Sequence, residues 1–194
     1  AVATTIPNVE AYPKNVLSRD GITVTVRPLE AEDDVELLRF FERVPGEERH
    51  YLEENVTSPK LISQWTRNID FNRVIPIVAP NEGEIVADAT LHRTRIKARR
   101  HVGELRIVVE PGFREAGLGG RLMRELQDIG TDIGLKAVTI ELVADWEEPA
   151  IAAVESVGFN RIARLTYRVS GLWGNYQDLI VLDMQLNEHR YWWY

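Results

Sequence analysis

Alternation comes first along this chain, then helical spacing, then alternation again. Residues 15–19 run into Asp20-Gly21, a hairpin-turn pair, after which Ile22, Val24 and Val26 alternate with Thr23 and Thr25. A period of two around such a turn predicts a β-hairpin. Arg27-Pro28-Leu29 ends it, and Glu30, Glu32, Asp33 and Asp34 supply the acidic first turn of a helix that carries Val35, Leu38, Phe41 and Val44 on one side. Pro45-Gly46 breaks that helix. A short helix is expected over residues 47–55, and another from Ser58, an N-cap with Pro59 at the first helical position, to about residue 67, with Leu61, Ile62 and Trp65 turned inward.

Strand patterns return at residues 74–79 and 85–92, turned by Asn81-Glu82-Gly83, and again at 105–109. A glycine-rich stretch, 110–120, leads into an amphipathic segment with Leu122, Met123, Leu126, Ile129 and Ile133 on one side. Residues 136–143 read as a buried strand and 149–159 as a helix. Residues 161–169 and 178–184 read as two closing strands linked by 171–176. The class is α/β (α+β). In strand 85–92, Asp88, Thr90 and His92 share one face and Ala87, Ala89 and Leu91 the other; Glu104 and Arg106 share a face of the next strand. Antiparallel pairing with residue numbers summing near 194 would set Asp88 opposite Arg106 and Thr90 opposite Glu104. The result is one polar patch, either a solvent-side charge ladder or part of an active site.

Composition narrows the picture. The 194 residues suit one domain, and 44% hydrophobic content is enough for a substantial core. The expected layout is an N-terminal arm (1–14), one domain (15–186) and an aromatic tail (187–194), the tail being a candidate homodimer contact. A net charge of −7 argues against wholesale nucleic-acid binding. No cysteine is present, which removes disulfides, a thiolate nucleophile and Cys-based metal sites, and agrees with a cytoplasmic location. No stretch reads as a membrane span, and no metal is expected. Arg93, Arg95, Lys97, Arg99, Arg100 and His101 crowd one connection. They form either a solvated hairpin tip or an attractor for an anionic cofactor.

Chemistry enters at the glycine-rich stretch. Strand, glycine loop and helix in that order aim unpaired backbone N–H groups and the positive end of a helix dipole at one spot, a seat for phosphate or diphosphate. Gly117, Gly119 and Gly120 let the backbone approach an anion, and Arg114 adds charge at the rim. The loop has no Lys-Ser/Thr of a P-loop, and Leu122 stands where a dinucleotide fingerprint wants its third glycine. What remains, Arg114-x-x-Gly117-x-Gly119 after a hydrophobic strand ending Val109-Glu110-Pro111, resembles the diphosphate-binding motif of the GNAT superfamily of CoA-dependent N-acetyltransferases. Residues 149–159 add to the resemblance: they end in Gly158-Phe159, with Ala150-Ile151 eight and seven residues before the glycine.

The resemblance implies a mixed, strongly twisted sheet splayed between its fourth and fifth core strands and flanked by helices on both faces. It implies acetyl-CoA as co-substrate, with pantetheine along the backbone of Ile107, Val108 and Val109 and the diphosphate on Arg114, Glu115, Ala116, Gly117, Leu118, Gly119 and Gly120. The acceptor would be a primary amine of a small molecule or protein that attacks the thioester directly, so the missing cysteine is no obstacle. Glu104 is the first candidate base, directly or through water, with His92 or His101 second; Tyr167 and Tyr176 are candidates to protonate the leaving thiolate. Three family positions differ: Gly103 stands where many members have a strand glutamate, Val154 where many have the acid tyrosine, and Glu147 where an asparagine is common. The alternative is a non-catalytic acyl-CoA-binding sensor.

Overall fold

A computed structural model describes residues 6–52 and 54–186. The Asp20-Gly21 turn joins strands β1 (Lys14–Leu17) and β2 (Thr23–Pro28), as the alternation predicts. Helices α1 (Asp34–Arg43), α2 (Gly46–Arg49) and α3 (Pro59–Arg67) follow, then β3 (Val74–Asn81), β4 (Glu84–Arg93) and β5 (Val102–Val109). The chain continues through α4 (Leu118–Asp132), β6 (Ala137–Val143), α5 (Glu148–Ser156), β7 (Asn160–Ser170) and β8 (Tyr176–Gln185). The eight strands form one sheet in the order β1-β2-β3-β4-β5-β6-β8-β7. Helices cover both faces: α4 and α5 pack with Leu91, Leu105 and Val138, while α1 and α3 pack with Val78 and Ile85.

The sheet is mixed because one neighbouring pair, β5 and β6, runs parallel. Their pairing is short: Val102–Ala137, Gly103–Val138 and Glu104–Thr139, and nothing beyond. The rest of β5, from Leu105 to Val109, pairs with no strand but β4, and its other edge faces a wedge that widens toward the glycine turn. This is the expected splay. A backbone edge left open inside a sheet is a row of donors and acceptors awaiting an extended partner.

Four local expectations change. The β4–β5 register sets Thr90 opposite Arg106, His92 opposite Glu104 and Asp88 opposite Val108, two residues from the expected alignment. An even slip keeps every side chain on its predicted face, so the polar patch survives with different partners. In α1 the buried stripe is Leu37, Phe40, Phe41 and Val44, whereas Val35 is 55% exposed. Upstream, Arg27 forks onto Asp33 at 2.7 Å through both nitrogens, within a short 3-10 turn (Ala31–Asp33) that precedes the helix. Of the helix expected over 47–55, only α2 forms. Residues 6–13, expected to be a loose arm, lie against α4. Ile6 is 3% exposed, Asn8 donates to Asp132 at 2.8 Å, and Tyr12 donates to Glu125, a nearly buried carboxylate that also pairs with Lys14 at 2.8 Å. The tail, 187–194, and its homodimer contact lie outside the described residues. No helix among the described residues is long and apolar enough to cross a membrane.

Candidate active site

The glycine turn is built as a helix start. A 3-10 turn (Pro111–Phe113) bends the chain out of β5, Gly117 adopts φ 78° as N-cap, and α4 begins at Leu118. That left-handed backbone is what glycine permits and an L side chain resists. Arg121 is the first residue to bond back, its N–H donating to the Gly117 carbonyl at 3.2 Å. The N–H groups of Leu118, Gly119 and Gly120 therefore have no carbonyl behind them and point out of the helix end beside the wedge. At Gly119 a methyl group would sit 3.7 Å from Val109 and 3.8 Å from Ile107, ordinary contact distances. Packing does not demand glycine there, whereas close approach of a ligand to the main chain would.

The other expected diphosphate contacts divide. Ala116 is buried and Glu115 exposed. Arg114 is turned away from the helix end: its Nε donates to the Val109 carbonyl at 2.9 Å, and both terminal nitrogens fork onto the Glu48 carboxylate of α2. Its charge is matched by Glu48, and its geometry ties α2 to the turn. Ile107 and Val109 lean toward α4 and Val108 toward the α1 side. Their side chains hold β5 in place while no strand pairs with its wedge edge.

Glu104 belongs to the last residue pair before β5 and β6 separate. It stands on the polar face with His92 directly across, Arg106 Nε donates to its Oε1 at 3.1 Å, and the Thr90 hydroxyl lies 2.8 Å from His92 Nε2. The one-place difference from the family's glutamate has a steric reason. A Cβ at Gly103 would lie 2.5 Å from the Leu91 side chain and 2.9 Å from that of Leu135, so that position faces the core and a side chain there would have to displace both leucines. Position 104 is the one that reaches the polar face. His101 is exposed on the turn before β5, and the basic residues around it lie at the opposite end of β5 from the glycine turn, about 25 Å away along the strand. That is well over two Debye lengths at cellular salt, which favours the solvated tip over the cofactor attractor. Tyr167 and Tyr176 are 78% and 68% exposed on the β7–β8 hairpin, their rings edge to face at 6.4 Å. Val154, at the family's tyrosine position, is buried in the core.

Two features escape a linear reading. Asp88 lies on the polar face between Val78 and Val108, partly buried and with no ion-pair or hydrogen-bond partner among the described residues. Burial raises its carboxyl from 3.8 to about 7. The folded protein therefore holds this proton more tightly than the unfolded chain, and stability falls as pH rises from about 4 to about 7, by at most about 4 kcal/mol. An Asp88→Asn variant should lack that fall and gain on the parent in urea denaturation at pH 8 relative to pH 5; parallel curves for the two proteins would refute it. The second feature is the closure at the wide end of the wedge. Tyr51 donates to Gln177 of β8 and stacks near Trp146 at 5.8 Å, and His50 Nε2 donates to the Ser170 carbonyl at 2.7 Å. Glu147 accepts the Val143 N–H at 2.5 Å, and burial, with Glu48 adding to it, raises its carboxyl above the ordinary value. Contacts between residues so distant in sequence leave no periodic trace. Among the described residues, no group of three or more His, Asp or Glu could hold a metal ion.

The model of the acetyltransferase (GNAT) family matches residues 36–159. The fold is similar to that of the GNAT domain of S. lividans PAT, with a TM-score of 0.75 at 19% identity, over 90% of this chain and 97% of that one. It is similar to the ribosomal-protein-S5-alanine acetyltransferase of Vibrio fischeri, with a TM-score of 0.75 at 15% identity, over 85% and 94%. It is also similar to yncA of Salmonella typhimurium, solved with its cofactor acetyl-CoA, with a TM-score of 0.72 at 18% identity, over 86% and 96%. No curated protein matches the sequence closely enough to add a relative.

Proposed function

Because this chain belongs to the acetyltransferase (GNAT) family, and so to the transferases, we propose that it moves an acetyl group from acetyl-CoA to a primary amine of a small molecule or protein by direct attack. The observation that carries this is the end of β5–β6 pairing at Glu104–Thr139, with the open edge of β5 running on to the glycine turn. Pantetheine would lie along Ile107, Val108 and Val109 as an added strand, and the diphosphate would accept from the N–H groups at the start of α4. The thioester would then lie toward the apex of the wedge, where Glu104 stands.

Glu104 would take the amine proton, directly or through one water, and the freed lone pair would attack the thioester carbonyl. Collapse of the tetrahedral adduct breaks the carbon–sulfur bond and releases CoA thiolate, which takes up a proton. His92, across from Glu104, is nearer the base than the two hairpin tyrosines, whose exposed rings suit the acceptor's rim better than the leaving sulfur. The closure made by Tyr51, Trp146 and Glu147 would bound the acceptor's approach.

Free-thiol release from acetyl-CoA with a panel of primary amines tests the proposal. Turnover dependent on both substrates is expected. Saturable coenzyme binding with no turnover on any amine would instead favour an acyl-CoA sensor.

A further inference from the structure

The tip of the β1–β2 hairpin reaches the glycine turn from a part of the chain nearly a hundred residues upstream. The Arg19 N–H donates to the Ala116 carbonyl at 2.9 Å. Its side chain runs along Gly117: a Cβ built there would stand 3.1 Å from Arg19 Nε, 3.5 Å from Cγ and 3.6 Å from Cδ. The tip itself is firmly made. Ser18 is buried, its N–H donates to the Ile22 carbonyl at 2.8 Å, its hydroxyl accepts the Ile22 N–H at 3.1 Å, and Gly21 closes the turn at φ 79° with its N–H on the Ser18 carbonyl at 3.1 Å. Val16 and Val24 anchor the two strands in the core.

Charges around the turn single out the same residue. Arg114, the expected cation, is forked onto Glu48. Arg121, in the first turn of α4, leans toward Glu125 at 3.9 Å. Arg19 is exposed and has no ion-pair partner among the described residues; its acidic neighbours, Asp20 in the hairpin and Glu115 in the turn, are exposed too. A guanidinium held by a rigid hairpin against the N-cap glycine, where the main chain leaves room for it, is placed to meet an anion rather than to support the fold.

We infer that Arg19 is a coenzyme-binding residue, its guanidinium donating to the diphosphate seated on the N–H groups that open α4, so that the β1–β2 hairpin forms one wall of the site. The inference rests on the proposed function and adds to it a contact from outside the stretch matched by the family model. Arg114 then serves mainly to join α2 to the turn, and Arg19 supplies the charge.

The test compares the full-length parent with Arg19→Ala and Arg19→Lys. Calorimetry would use CoA and dephospho-CoA, which lacks the 3′-phosphate, and turnover would use S-acetylpantetheine, which lacks every phosphate. Arg19→Ala should weaken CoA and dephospho-CoA alike, by about tenfold to a hundredfold, as loss of a charged hydrogen bond implies. Arg19→Lys should recover part of the loss, kcat at saturating acetyl-CoA should hold, and parent and alanine variant should match on S-acetylpantetheine. Unchanged CoA affinity in the alanine variant would overturn the assignment, and so would a penalty confined to CoA, which places Arg19 on the 3′-phosphate. An equal penalty on S-acetylpantetheine would overturn it too, because the hairpin would then act without any phosphate. A parent that fails to bind CoA at all would overturn the proposed function along with it.

Discussion

Replacing Gly119 by aspartate should lower coenzyme A affinity at least about a hundredfold while leaving the fold intact. The added Cβ meets Val109 and Ile107 at 3.7 and 3.8 Å, so the core is not forced to move. A carboxylate in the first turn of a helix is, if anything, favourable to the helix. Toward a diphosphate it is doubly unfavourable. It fills the approach to the N–H groups and sets like charges side by side, a juxtaposition that costs several kcal/mol where each 1.4 kcal/mol is about a factor of ten. Calorimetry and a melting curve on the same sample separate the two effects. Retained affinity at an unchanged melting temperature would mean that the diphosphate does not sit at the start of α4.

Replacing Glu104 by glutamine should lower kcat by about 10²–10⁴-fold, the usual worth of a positioned general base. Coenzyme affinity should change by less than about twofold, because the side chain stands at the apex of the wedge and not at the diphosphate end. Glutamine keeps the shape and can still accept from Arg106, so the polar face should persist. A variant whose kcat equals the parent's across the pH profile would remove Glu104 as base and turn attention to His92, directly opposite on β4.

Much of the fold was legible because it is local. The Asp20-Gly21 hairpin, the Ser58-Pro59 helix start and the run from β5 through the glycine turn into α4 each depend on residues within a few positions of one another. The family resemblance that those motifs carry then implied the splay between β5 and β6. What stayed hidden depends on distant partners. The phase of α1 is one case: Val35 and Leu37 look equally apolar in sequence, and only packing against distant residues buries Leu37 and leaves Val35 exposed. The β4–β5 register slipped by two residues because the basic connection contains its own 3-10 turn, Lys97–Arg99, which no alternation reveals. The candidate site shows the same division. Its main-chain part was readable from the glycines, whereas the pairing of Arg114 with Glu48 and the approach of Arg19 to Gly117 join segments far apart in sequence.

The brief seam between β5 and β6 also bears on how the molecule comes apart. On one side lie β1 to β5, on the other β6 to β8; three residue pairs and the His101 carbonyl stitch the two halves of the sheet, α4 straps across one face, and His50 and Tyr51 bridge to Ser170 and Gln177. Local opening concentrates where few hydrogen bonds must break, so this line is the mechanical fault of the fold. A molecule that laid its own amides along the fault would act as a splint. The melting temperature of such a protein would climb with the concentration of its splint, making heat resistance a readout of occupancy.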